Sequence, residues 1–205
     1  MTATTVEHGG HGHGHEAGHH LPRPVKLAQF RSLVILLLVS DLIFVGGMFF
    51  AYIYLRMLNV NGQWLPSGVH PVSAASGYLV GGIMVVSAVV YRFGDVASRA
   101  GRQGQARGIL LLALLLAAAD MVLQAVQMAG ASFAPSAGAY ASSYYALASY
   151  HVFHVALLLL VGLGLMIRSA RGVYREKGQY NEIALGGLAW YWVTLIAVAM
   201  AVLPH

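Results

Sequence analysis

The stretch YYALASYHVFHVALLLLVGLGLMIR, residues 144–168, decides the fold. It is almost entirely apolar, and its roughly 25 residues are long enough to cross a bilayer core of about 30 Å as a helix. Two histidines, His151 and His154, lie inside it. Ionisable side chains are expensive at that depth and mark a functional question by default. Their i, i+3 spacing puts both imidazoles on one helical face, so what that face meets is the central issue.

The rest of the chain follows the same pattern. Its 205 residues are 58% hydrophobic and 9% charged, with a mean hydropathy of +0.67. A soluble domain carries about 25% charged residues. Four further apolar runs have the length of a crossing: 30–56, which contains Asp41; 72–92; 107–129, which contains Asp120; and 183–203. The expected fold is all-α, a single integral membrane bundle of five transmembrane helices over residues 30–205. Residues 1–29 read as a polar leader rich in His and Gly, too poor in apolar surface to offset chain entropy and so flexible. The leader shows no apolar core of a cleavable signal peptide. Its histidines, His8, His11, His13, His15, His19 and His20, form a tract of a kind that can bind divalent metal; a plain solvated leader is the alternative. Pro22 and Pro24 mark the approach to the membrane, because proline is disfavoured inside helices. The absence of cysteine excludes disulfides and thiolate metal sites.

Charge sets the expected orientation. Of the twelve basic residues, all but Arg56 fall in the leader, the loop around 92–107 or the loop around 168–177. The positive-inside rule then places the N-terminus in the cytoplasm and the C-terminus outside. The net charge of +5 therefore reports topology and is no nucleic-acid signal.

With that topology, buried polar residues can be placed by depth. Asp41 lies about ten residues in from the cytoplasmic side, at ~15 Å, and Asp120 about thirteen, at ~20 Å. His151 lies about eight residues in from the other side, at ~18 Å on the same scale. Three ionisable groups on three helices thus share one slab near the midplane. A carboxylate facing an imidazole there can form a packing hydrogen bond or handle a proton. Convergence of Asp41, Asp120 and His151 on a divalent cation, as in a transporter with the His-rich leader as sensor, is the competing reading. Haem ligation is disfavoured, since no second helix answers the histidines. Elsewhere, Ser73, Gly77 and Gly81 recur at i, i+4 and allow close helix approach, either within the bundle or at a subunit interface. Trp190, Tyr191 and Trp192 lie ~12–15 Å into the membrane, deeper than an interfacial belt. They are expected to face a lipid cleft or a neighbouring subunit, with ordinary helix packing as the alternative.

These residues resemble subunit III of the haem-copper terminal oxidases. Ser40-Asp41, Ile43-Phe44, Gly46-Gly47, Phe49-Phe50 and Ala51-Tyr52 look like that family's acidic, aromatic-rich helix, where a carboxylate follows Ser. Tyr150-His151-Val152-Phe153-His154-Val155 resembles its aromatic-His-Gly-Leu-His-Val motif, and Trp190-Tyr191-Trp192 the start of its last-helix motif. Leu123-Gln124-Ala125 is a weaker match. The chain departs from the pattern at Gln127, where an acidic residue is expected, and at Val193 and Ile196, where His and Asp are expected. The family usually has seven helices, and bacterial members often lack the first two. The resemblance implies a multi-pass protein of the bacterial inner membrane with no haem, copper or catalytic residue of its own. Such a subunit packs on the catalytic haem-copper subunit, binds phospholipid in a cleft, and supports proton uptake and turnover stability. Asp41 would be the family's buried carboxylate, and His151 and His154 its paired histidines. A related branch accompanies nitric oxide reductases.

Overall fold

A computed structural model describes residues 23–175 and 181–203. The His-rich tract, His8 to His20, lies outside the described residues. The described chain forms five long helices: α1, Arg23–Leu58; α2, Ala74–Arg99; α3, Gln103–Ala129; α4, Ala139–Ala170; and α5, Asn181–Val202. All five are long and apolar enough to cross a membrane. No strand occurs among the described residues.

The three largest boundary differences from the sequence expectation each have a local reason. Helix α1 begins at Arg23, seven residues early, because Pro24 falls in its first turn, where a missing N–H costs little. Helix α2 continues past Arg92 to Arg99. The buried carboxylate of Asp95 is held there by Arg92 Nη1 at 2.8 Å and Arg99 Nε at 2.9 Å, on the i+3 and i+4 spacing of one helix face. Helix α4 starts at Ala139, five residues early, after Gly138 turns the chain at φ +148°, a region that favours glycine.

Helix α5 is the axis of the bundle, packed against α2, α4 and α1, while α3 lies between α2 and α4. Helix α1 is peripheral and touches α4 and α5. Among its described side chains only Val45 and Tyr52 are buried. Two apolar clusters stack along the bundle. One, toward the arginine-rich end, includes Tyr91, Leu110, Ala113, Leu158, Ile183 and Trp190. The other, toward the opposite end, is aromatic: Trp64 lies edge-on to Tyr52 at 5.1 Å and to Tyr140 at 5.8 Å, and Phe133 edge-on to Tyr140 and Tyr144. The loops at this end are tied into it by the Val72 N–H, which donates to the Tyr140 hydroxyl at 2.9 Å.

Small residues bring α2 and α5 together. A Cβ at Gly81 would stand 2.9 Å from Ala201 Cβ, so the 73/77/81 stripe reaches its closest approach inside this chain, against α5. Gly186 faces the Tyr91 hydroxyl so closely that a Cβ would meet it at 2.6 Å. That hydroxyl donates to the Ile183 carbonyl at 2.7 Å.

Candidate functional site

The ionisable residues of the membrane interior sit where the two apolar clusters meet, and they form two pairs. In the first, His151 on α4 faces Asp120 on α3, with Nε2 and Oδ2 2.8 Å apart and both side chains essentially without exposure. In the second, His154 on α4 faces Asp41 on α1, with Nε2 and Oδ1 at 3.2 Å. Trp192 on α5 donates its indole N–H to Asp41 Oδ2 at 2.6 Å. The second pair is partly open, with side chains 15% and 19% exposed.

The two imidazoles therefore do not serve one common surface. Three residues advance a helix by about 60° short of a full turn, and on α4 that rotation is enough to send His151 to α3 and His154 to α1 and α5. The three groups expected to converge on a cation separate instead: Asp120 with His151, Asp41 with His154. Among the described residues no group of three or more His, Asp or Glu stands close enough to hold a metal.

The two pairs differ chemically. His154 Nδ1 lies 2.8 Å from the Tyr150 carbonyl. A carbonyl can only accept, so Nδ1 carries a hydrogen. The Nε2–Asp41 contact then shares a single proton, either on the carboxyl or on the imidazole. The Tyr150 ring covers this imidazole, centroid to centroid at 4.0 Å. In the other pair, His151 Nδ1 and Asp120 Oδ1 are buried and have no protein partner. An unmet polar atom in hydrocarbon costs about 1–3 kcal/mol, so this pair sits in a less saturated environment than its neighbour.

The aromatic triplet divides three ways. Trp192 binds Asp41. Tyr191 is exposed on the surface of the bundle. Trp190 is fully buried inside the chain's own core, where it stacks on Tyr91 at 4.3 Å and donates to Ser87 Oγ at 2.9 Å. It faces neither a lipid cleft nor another subunit. Ser73 is exposed at the start of α2, and Gly77 lines a small internal cavity beside His151.

Several polar residues of this region were not singled out for a role by sequence reasoning. Gln124 Nε2 donates to Gln127 Oε1 at 2.9 Å, Gln127 Nε2 donates to Ser76 Oγ at 2.6 Å, and the Tyr144 hydroxyl approaches Gln127 Oε1 at 3.3 Å. Ser87 is buried and bridges Trp190 to the Ala113 carbonyl. The available signal was the i, i+3 spacing of two glutamines inside an apolar helix, one turn beyond Asp120.

Comparison with known proteins places this geometry. A family model, cytochrome c oxidase subunit III, matches residues 13–200. The chain belongs to the cytochrome c oxidase subunit III family. Cytochrome c oxidase subunit 3 of Didelphis virginiana is 26% identical over 179 residues, covering 85% of this chain and 62% of the relative. The Mus musculus protein is 25% identical, covering 85% and 67%. The protein of the same name from Thermostichus vulcanus is 26% identical over 181 residues, covering 86% of this chain and 87% of the relative. The chain thus spans about two thirds of the length of the animal relatives and most of the Thermostichus one. Family membership and five membrane-length helices make it a multi-pass membrane protein.

Proposed function

We propose that the chain is a non-catalytic integral subunit of a respiratory haem-copper terminal oxidase. In this reading it packs against the catalytic subunit that holds haem and copper, and the cytochrome c or quinol donor is decided by that partner. The observation that carries the proposal is the family match along residues 13–200, which takes in all five helices. The surface agrees with it: α1 turns Leu36, Leu37, Ile43, Phe44 and Phe50 outward, each more than half exposed, and gives lipid or a neighbouring subunit a continuous apolar wall.

The geometry supports the following residue roles. Asp41, held by His154 and Trp192, pins α1 to α4 and α5 and keeps one shareable proton near the bundle surface. Asp120 and His151 form a second, fully enclosed proton-sharing pair. Tyr191 and the outer face of α1 are the surfaces for phospholipid or a partner. The positive-inside distribution supports a cytoplasmic N-terminus in a bacterial inner membrane.

Purification in mild detergent tests the proposal. A haem- and copper-bearing catalytic subunit should copurify with the tagged chain. Recovery as a lone, haem-free protein from membranes with active oxidase would refute it, and copurification with a nitric oxide reductase would move the chain to that related branch.

A further inference from the structure

The His151–Asp120 pair is enclosed, yet it is not surrounded evenly. Toward the arginine-rich end lies the apolar cluster that includes Ala117, Val155, Leu158 and Trp190, all buried. Toward the other end a cavity adjoins His151, lined also by Gln124, Gln127, Tyr144, Gly77 and Val80. It offers about 20 Å³ to the centres of water molecules, above the roughly 10–15 Å³ that one water requires. The lining supplies the several polar partners a buried water needs. His151 Nδ1 is buried and has no protein partner.

The cavity leads outward. Gln127 also lines a separate groove of about 440 Å³ between α2 and α3, whose wall includes His70, Ser73 and Ser76. The side-chain chain Gln124–Gln127–Ser76 is continuous at 2.9 and 2.6 Å, and the Ser76 hydroxyl passes on to the Ser73 carbonyl at 2.7 Å. The titratable groups that line the cavity are His151 and Tyr144, both from α4, and Asp120 from α3 pairs with His151. Helix α2 presents Gly77 and Val80 there, and α5 presents Ala197, Met200 and Ala201. Asp41 is committed to His154 and Trp192.

We propose that the cavity beside His151 is a water site, and that it joins the His151–Asp120 pair through Gln127 and Ser76 to the groove at the arginine-poor membrane face, putting the pair in proton exchange with that face. This goes beyond an assembly role, and it holds whichever catalytic partner the chain serves.

The test uses the assembled complex with only this chain 15N-labelled at histidine, and follows deuteration of the imidazole N–H groups after transfer to D2O. Gln127→Leu should slow exchange at His151 about tenfold, the effect of losing one buried hydrogen-bonding link. Gln127→Glu should restore it. His154, on its own partly open route, should be unchanged in both and so reports that the fold is intact. If Gln127→Leu disturbs His154, Ser76→Ala serves in its place, with the same slowing expected. Unchanged His151 exchange in a variant whose His154 signal is native would overturn the proposal. So would a His151 imidazole in the parent protein that exchanges no faster than the backbone amide of His151 itself.

Discussion

Replacing Asp41 by Leu removes the one carboxylate that joins α1 to the rest of the bundle. Asp41 makes two side-chain links, to His154 and to Trp192. Interhelical side-chain hydrogen bonds in membranes average about 0.6 kcal/mol and reach about 1.7, so losing both costs about 1–3 kcal/mol of docking energy. That corresponds to roughly a 5- to 150-fold shift in the docking equilibrium. Helix α1 has little to resist it, with only Val45 and Tyr52 buried among its described side chains. Leucine inserts readily, so α1 remains in the membrane and only its attachment changes. Because the chain has no cysteine, two introduced cysteines can carry spin labels without background. Positions 43 on α1 and 153 on α4 are suitable, as Ile43 is 73% and Phe153 58% exposed. Asp41→Leu should broaden the distance distribution and add a longer component. Asp41→Asn, whose amide oxygen can still accept from Trp192, should fall between, and Asp41→Glu should stay near the parent. A distribution for Asp41→Leu that superimposes on the parent would refute the idea that this carboxylate holds α1 in place.

Asp120→Ala leaves a fully buried imidazole without its partner, and should lower stability by about 3–5 kcal/mol; Asp120→Asn should cost much less, and unfolding in graded SDS measures both. Gly186→Ala drives a methyl into the Tyr91 hydroxyl and Leu165, and overpacking of this kind should cost about 1–3 kcal/mol in the same assay. At the arginine-rich end, burial, followed by the hydrogen bond to Glu182, pushes the Tyr174 hydroxyl up to about 12. A raised folded value favours the protonated form, so its contribution is intact below pH 10 and is lost as pH rises from about 10 to about 12. Tyr174→Phe should flatten the stability curve over that window.

The five crossings were legible because run length and apolarity are one-dimensional properties. Helix ends were less so. Arg92 and Arg99 read as loop charges until Asp95 is seen between them on one helix face, and the start of α4 is hidden in a weakly apolar run of Ala, Ser and Tyr. The depth of Asp120 and His151 could be counted from either membrane face. Partner choice could not: depth says how far along an axis a residue lies, while pairing depends on rotation about the axis and on which helices are neighbours. That is why His154, rather than His151, answers Asp41. The same limit applies to Trp190 and Trp192, two residues apart. One is sealed in the core and the other grips the peripheral helix, a distinction that rotation alone creates.

The long sequence separation of the α1 attachment has a consequence for biosynthesis. Asp41 lies 113 residues before His154 and 151 before Trp192. At about 5–20 residues per second of synthesis, the first helix waits roughly 8–30 s for the last of its anchors to be made. During that interval an acidic residue at a helix centre carries an insertion penalty of about 2.5–3.5 kcal/mol, which His154 and Trp192 are not yet present to offset. Helix α1 thus enters before either of its side-chain anchors exists, and its attachment is completed only when α4 and α5 arrive, which makes the closing of this bundle a late, long-range step.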